Sequence, residues 1–191
     1  MTILAWRAAL GIAGLVACAT TANAQTASPI DRGSTIVSGS ASWSRSSTDG
    51  FPSSTSASFA PSALHFFWPH LAAGGSVSVG YSRGNSSTQW SLGVGPEVRY
   101  YAGSLDAKTL PFVAVALRPT WSQSRSDNTA LFSEHDLTGD VSAGLTQMIA
   151  KGVGLTGAAY FSRLWRYRNG TDTKLITKQY GLRFGVAAFL Y

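Results

Sequence analysis

Residues 176–191 read Ile-Thr-Lys-Gln-Tyr-Gly-Leu-Arg-Phe-Gly-Val-Ala-Ala-Phe-Leu-Tyr. Ile176, Tyr180, Leu182, Phe184, Val186, Ala188 and Leu190 are apolar or aromatic and share one parity, while Thr177, Gln179, Gly181, Arg183 and Gly185 are polar or small and share the other. The period is two, that of a strand whose side chains alternate between faces, and not the 3.6 of a helix. One face suits lipid and the other carries an arginine. A strand can keep both in a membrane when it belongs to a closed barrel with a polar interior.

The opposite end of the chain is consistent with export. Arg7 supplies one positive charge, residues 8–17 form an uncharged apolar run, and Ala22-Asn23-Ala24 places small residues before Gln25. This pattern predicts a cleavable signal peptide over 1–24. The apolar run is too short for a spanning helix, which needs about 20 residues, and no later segment reaches that length without polar interruption. Membrane residence is therefore expected through strands. Leu15-Val16-Ala17-Cys18 also resembles a lipoprotein processing box with Cys18 as the acylated residue, but the Ala-x-Ala pattern sits at the usual place beyond the apolar run. After a cut at Ala24 the mature chain has no cysteine, hence no disulfide and no thiol chemistry.

Loss of Arg7 with the signal takes the formal charge from +6 to +5, on a chain in which only 13% of residues are charged and 12% are aromatic. Few charges with many Gly, Ser and aromatics suit one β domain. The basic balance does not indicate nucleic acid, because the chain is exported and has no Lys/Arg-rich run or zinc spacing. The phosphates of lipopolysaccharide are the better-placed acidic partner. Residues 25–33 read as a short periplasmic lead-in and 34–191 as one domain, with no heptads or solenoid repeat.

From Gly33 onward about eight alternating segments have the length of a tilted membrane strand, roughly 9–11 residues or more. They are expected near 34–45, 55–67, 72–84, 88–102, 110–123, 135–149, 153–166 and 175–191. The fourth alternates most cleanly: Trp90, Leu92, Val94, Pro96, Val98 and Tyr100 oppose Gln89, Ser91, Gly93, Gly95, Glu97, Arg99 and Tyr101. The faces of the second and seventh cannot be assigned. An even strand number puts both chain ends in the periplasm. Trp68-Pro69-His70-Leu71 and Ala150-Lys151-Gly152 are then short inner turns, and the polar stretches 45–54, 123–134 and 167–174 are outer loops. The pair 84–87 and 103–110 breaks this length rule. Aromatic girdles are expected at Trp43, Tyr81, Trp90, Trp121 and Trp165 outside, and at Phe67, Trp68, Tyr100, Phe112 and Tyr191 inside.

Three pieces, Ala60-Pro61-Ser62-Ala63-Leu64-His65-Phe66-Phe67, Leu71-Ala72-Ala73-Gly74 and Gly93-Val94-Gly95-Pro96-Glu97-Val98-Arg99-Tyr100-Tyr101, resemble the small outer-membrane β-barrel family related to the OmpA transmembrane domain and OmpX. The resemblance implies an all-β, eight-stranded, antiparallel up-and-down transmembrane barrel in the bacterial outer membrane. It also implies insertion by the outer-membrane assembly machinery, which reads a carboxy-terminal aromatic signal, here Phe189 and Tyr191. Roles differ widely within such a family, so membership does not choose a function. No periplasmic peptidoglycan-binding domain of the kind full-length OmpA proteins carry is expected, and hence no cell-wall tether.

The alternation places Glu97, Arg99, Arg118, Asp136, Asp140 and Arg183 in the lumen, three acids facing three bases. An interior just wide enough for side chains favours a salt-bridged plug over an ion path. His65, His70 and His135 have no metal-site spacing. Ser133-Glu134-His135-Asp136 superficially offers a catalytic set, but neighbours on a strand face opposite ways, and triads depend on geometry. Arg45, Arg83, Arg125, Arg163, Arg166, Arg168 and Lys174 fall at or beyond the outer strand ends, as candidate contacts to lipopolysaccharide phosphates. The expectation is a monomeric, non-enzymatic barrel with no cofactor and no metal, serving envelope integrity or surface interaction. A small porin-like channel and a lipid A-modifying enzyme are the alternatives, and a soluble secreted β-sandwich is a further one.

Overall fold

A computed structural model of the chain describes residues 28–48, 51–84, 87–104, 107–126, 129–166 and 175–191. The signal peptide, Cys18, Arg168 and Lys174 lie outside them. Eight strands, β1 (Thr35–Thr48), β2 (Phe51–Trp68), β3 (Leu71–Arg83), β4 (Ser87–Tyr101), β5 (Thr109–Ser126), β6 (Thr129–Ala150), β7 (Val153–Arg166) and β8 (Leu175–Leu190), follow one another around a closed barrel. Each pairs antiparallel with its chain neighbour, and β1 pairs with β8 to close the ring.

Alternation decides what each face meets. Outward stand Leu92, Val94, Val98, Val113, Val115, Leu117, Val141 and Leu145, all exposed, an apolar belt that only lipid can cover. Inward stand the serines, threonines and charged groups together with a cluster of apolar side chains. The two unassigned strands follow the same rule. In β2 Ser62, Leu64 and Phe66 are buried while Phe59 and Phe67 are exposed, and in β7 Ser162 is buried while Leu155 and Phe161 are exposed.

Three details differ from the sequence expectation. The stretches 45–54 and 123–134 are not loops for most of their length, since β1 and β2 run to Thr48 and from Phe51, and β5 and β6 to Ser126 and from Thr129. Polar Ser/Thr segments pair as strands above a membrane without apolar alternation, so periodicity cannot register them. Phe112 is not in the inner girdle. It shares the inward phase of Ala114 and Ala116 and lies buried with Tyr101 and Phe189. Tyr191 likewise packs against that inner cluster instead of standing at the rim.

Aromatic residues otherwise mark both rims. Tyr81 packs at a tilt against Trp90 with centroids 4.7 Å apart at the outer end, and Phe67, Trp68 and Tyr100 are exposed at the inner one. The Trp165 ring lies over Gly139, where a Cβ would meet its Cη2 at 2.9 Å. The inner turns need positive φ: Gly152 at 74° supplies it cheaply, and His70 adopts 71° after Pro69.

Candidate functional site

The lumen is built in layers. At the inner end Ile36, Leu64, Phe66, Tyr101, Leu110, Phe112 and Phe189 pack into one buried apolar cluster, contributed by five strands in inward phase. The lead-in completes this layer. Ile30 is wholly buried among these side chains. Its carbonyl accepts from His70 N at 2.9 Å, while Gly33 N donates to Phe66 O at 2.9 Å. Residues 28–33 are thus part of the barrel's packing and not a free tail; the only sequence signal was a lone isoleucine in a polar stretch.

Above this layer lie the charges. Glu97, Arg99 and Tyr101 alternate on β4 and therefore share one face. Arg99 Nη2 donates to Glu97 Oε1 at 2.6 Å, its Nη1 reaches Tyr101 Oη at 3.2 Å, and its guanidinium sits 5.1 Å from the Phe112 ring centre. Across the lumen Arg183 forms a two-pronged pair with Asp140, one arm at 2.8 Å, and stacks 4.0 Å from the Tyr160 ring centre. Arg118 is less well served. It is 4% exposed, donates to Ser76 Oγ at 3.3 Å, and its Nη2 lies 3.6 Å from Asp140 Oδ1. Asp140 is therefore bracketed by two arginines. Asp136 is buried two inward positions further out on β6, in the polar layer with Thr120, Thr138, Ser122 and Ser162. All six sequence-selected charges thus line the lumen, and five gather in one ionic layer.

Between the apolar and ionic layers is a cavity of about 50 Å³ bordered by Ser40, Glu97, Arg99, Arg118, Asp140 and Arg183 among others. That is room for a few waters or one small polar group. Buried Arg99 Nε faces no hydrogen-bond partner among the described residues. Burying ions is tolerated when they are paired, and one-sided pairing leaves residual charge.

The outer rim carries cations on the lipid-facing phase. Arg83 and Arg125 share a rung with Thr88, and both are exposed. Arg163 pairs in register with Lys178, which the sequence reading missed because Lys178 lies inside the final strand's apolar alternation. Arg163 also sits 5.4 Å from the Trp165 ring centre. The side chains of Arg45 and Arg166 lie outside the described residues. His135 is exposed on the outer face while Asp136 is buried inside, so these two do not meet; Ser133 and Glu134 side chains are outside the described set.

The sequence matches no family model and no curated protein. Among solved structures, Neisserial surface protein A aligns with a TM-score of 0.55 at 16% identity, over 86% of this chain and 99% of that one. The N-terminal β-barrel domain of Pseudomonas aeruginosa OprF aligns with a TM-score of 0.51 at 11% identity, over 83% and 98%. The likeness is one of fold: this chain is a small eight-stranded barrel of the outer-membrane type.

Proposed function

We propose that the protein is a monomeric, non-enzymatic resident of the bacterial outer membrane that supports envelope integrity or surface interaction, with a lumen closed to solutes. The observation that supports this reading is the apolar cluster at the inner mouth, where Ile30, Phe66, Tyr101 and Leu110 have no exposed surface. A hydrated path would have to cross that apolar layer, and in the ionic layer above it Arg99 is tied to Glu97 and both Arg118 and Arg183 to Asp140. The outward rungs Arg83–Arg125 and Arg163–Lys178 support contact with lipopolysaccharide phosphates, for which guanidinium is well shaped. The separation of His135 from Asp136 argues against the catalytic reading.

Two measurements test this. The mature protein should fractionate with outer membranes and resist urea extraction, and recovery in soluble periplasm would sink the placement. Reconstituted in planar bilayers it should show little steady conductance. Large, stable single-channel currents would favour a small porin-like channel instead.

A further inference from the structure

Two cations stand directly opposite each other on the outward face. Ser162 is buried in the lumen, so alternation turns Arg163 outward on β7. Its register partner on β8, the exposed Lys178, shares the lipid-facing phase of Tyr180 and Leu182. Like charges opposite one another on adjacent strands repel, with Cβ atoms about 4.5–5.5 Å apart. The carboxylates whose side chains are described are Asp31 in the lead-in and Glu97, Asp136 and Asp140 in the lumen, so none of them stands on this face to neutralise the pair. Arg163 is nonetheless held in place. Gly139, its register partner on β6, leaves room for the Trp165 ring, and that ring carries the guanidinium 5.4 Å from its centre.

Below the pair the lipid-facing surface is apolar and uneven. The next outward rung toward the inner end sets Val141, Phe161 and Tyr180 side by side, the one after it Ala143, Ala159 and Leu182, and the third Leu145, Gly157 and Phe184. Leu145, Leu182 and Phe184 are each more than half exposed and stand beside a low floor of Ala143, Ala159 and Gly157. From Arg163 to Gly157 is six residues, about 20 Å of strand. Tilted by about 45°, that run descends roughly 15 Å, the hydrocarbon depth of one leaflet. The other outward rung differs on both counts. Arg83 and Arg125 are two strands apart with Thr88 between them, and the rungs beneath them carry Tyr81, Trp90 and Trp121.

We propose that the Arg163–Lys178 rung is the head of a seat for one lipid A, the phosphorylated lipid of the outer leaflet. One phosphate lies across the two cations and relieves their repulsion, and one acyl chain descends over Ala159 and Gly157 between Leu145 and Phe184. Surrounding lipid is as apolar as the floor, so the phosphate supplies the affinity and the floor sets the direction of the chain. The seat rests on the lipopolysaccharide contact proposed above and confines it to one rung.

The test is titration of the full mature protein in detergent with purified lipid A, the bound lipid being counted by native mass spectrometry. One lipid A should be retained, and removal of its phosphates should abolish the retention. Arg163→Gln and Lys178→Gln should each weaken it about tenfold, the worth of one charge-assisted contact. Arg83→Gln and Arg125→Gln remove the same charge and should leave it nearly unchanged. Ala159→Leu raises the floor without touching a charge and should weaken it several-fold. Equal losses from the two rungs, or undiminished binding by Ala159→Leu, would overturn the seat while leaving a general lipopolysaccharide contact standing. So would displacement of lipid A by equal concentrations of inorganic phosphate or of phosphatidylglycerol. Absence of any lipid A binding would remove the contact itself along with the seat. If a variant fails to fold, lipid A with a photoreactive acyl chain decides on the unmodified protein: it should label β7 and β8 in preference to β3 and β4, and even labelling counts against the seat.

Discussion

Arg118 is the side chain on which the ionic layer turns. It is buried, and its removal leaves Asp140 with one arginine in place of two and Ser76 without its donor. Stripping a buried charge of its partner costs about 3–5 kcal/mol, and because Asp140 keeps its two-pronged pair with Arg183 the loss here should fall below that range. Arg118→Ala should therefore lower the thermal unfolding temperature in detergent, by less than a variant that strips Asp140 of Arg183. Unchanged melting would show that the contact at 3.6 Å carries little. Glycines give a second residue-scale test, because the closing seam depends on backbone contact. A Cβ at Gly185 would collide with the Gly39 carbonyl, whereas one at Gly75 would meet nothing within 4 Å. Gly185→Val should abolish the heat-modifiable folded band in electrophoresis, and Gly75→Ala should leave it intact.

Strand existence and order were readable from alternation, because inward and outward environments differ so sharply that period two survives in most strands. Three things escaped. The faces of β7 were hidden because Gly154, Gly157, Ala158 and Ala159 carry little polarity signal and Tyr160 stands beside Phe161. The outer strand extensions were hidden because no regular apolar alternation runs through 45–54 and 123–134. The seating of the lead-in was hidden because a single apolar residue, Ile30, has no period. Among the charges, alternation chose the lumen set, but which carboxylate each arginine meets depends on register across strands, which no single segment encodes. The lead-in yields a prediction at this scale. Ile30→Ala removes a fully buried side chain, a change that typically costs about 2–5 kcal/mol. It should lower detergent stability, and reconstituted samples should leak more than the unmodified barrel.

At the scale of the whole molecule, the end of β8 lies against the turn between β6 and β7 at the inner mouth. Phe189 N donates to the carbonyl of Gly152 at 2.7 Å, and the Tyr191 ring approaches the same glycine. We infer that these terminal aromatics serve assembly as well as packing. Deleting Tyr191 should reduce insertion into the outer membrane while export and signal cleavage proceed normally. Normal insertion of the truncated chain, judged by protease protection, would remove that role.

The rung Thr35↔Leu190 joins the first strand to the last. Every other pairing in the barrel can form between neighbours in the chain, at the modest entropy of a hairpin loop. This one requires nearly the whole domain to be brought end to end, and the cost of closing a loop rises with its length, by about 0.6 kcal/mol per doubling. Non-local pairing of this kind slows folding. The seam is thus the step on which the clock of assembly runs. A curved, unclosed sheet must persist until its ends meet, and the short ladder from Thr35↔Leu190 to Ala41↔Phe184 is the latch that ends the wait.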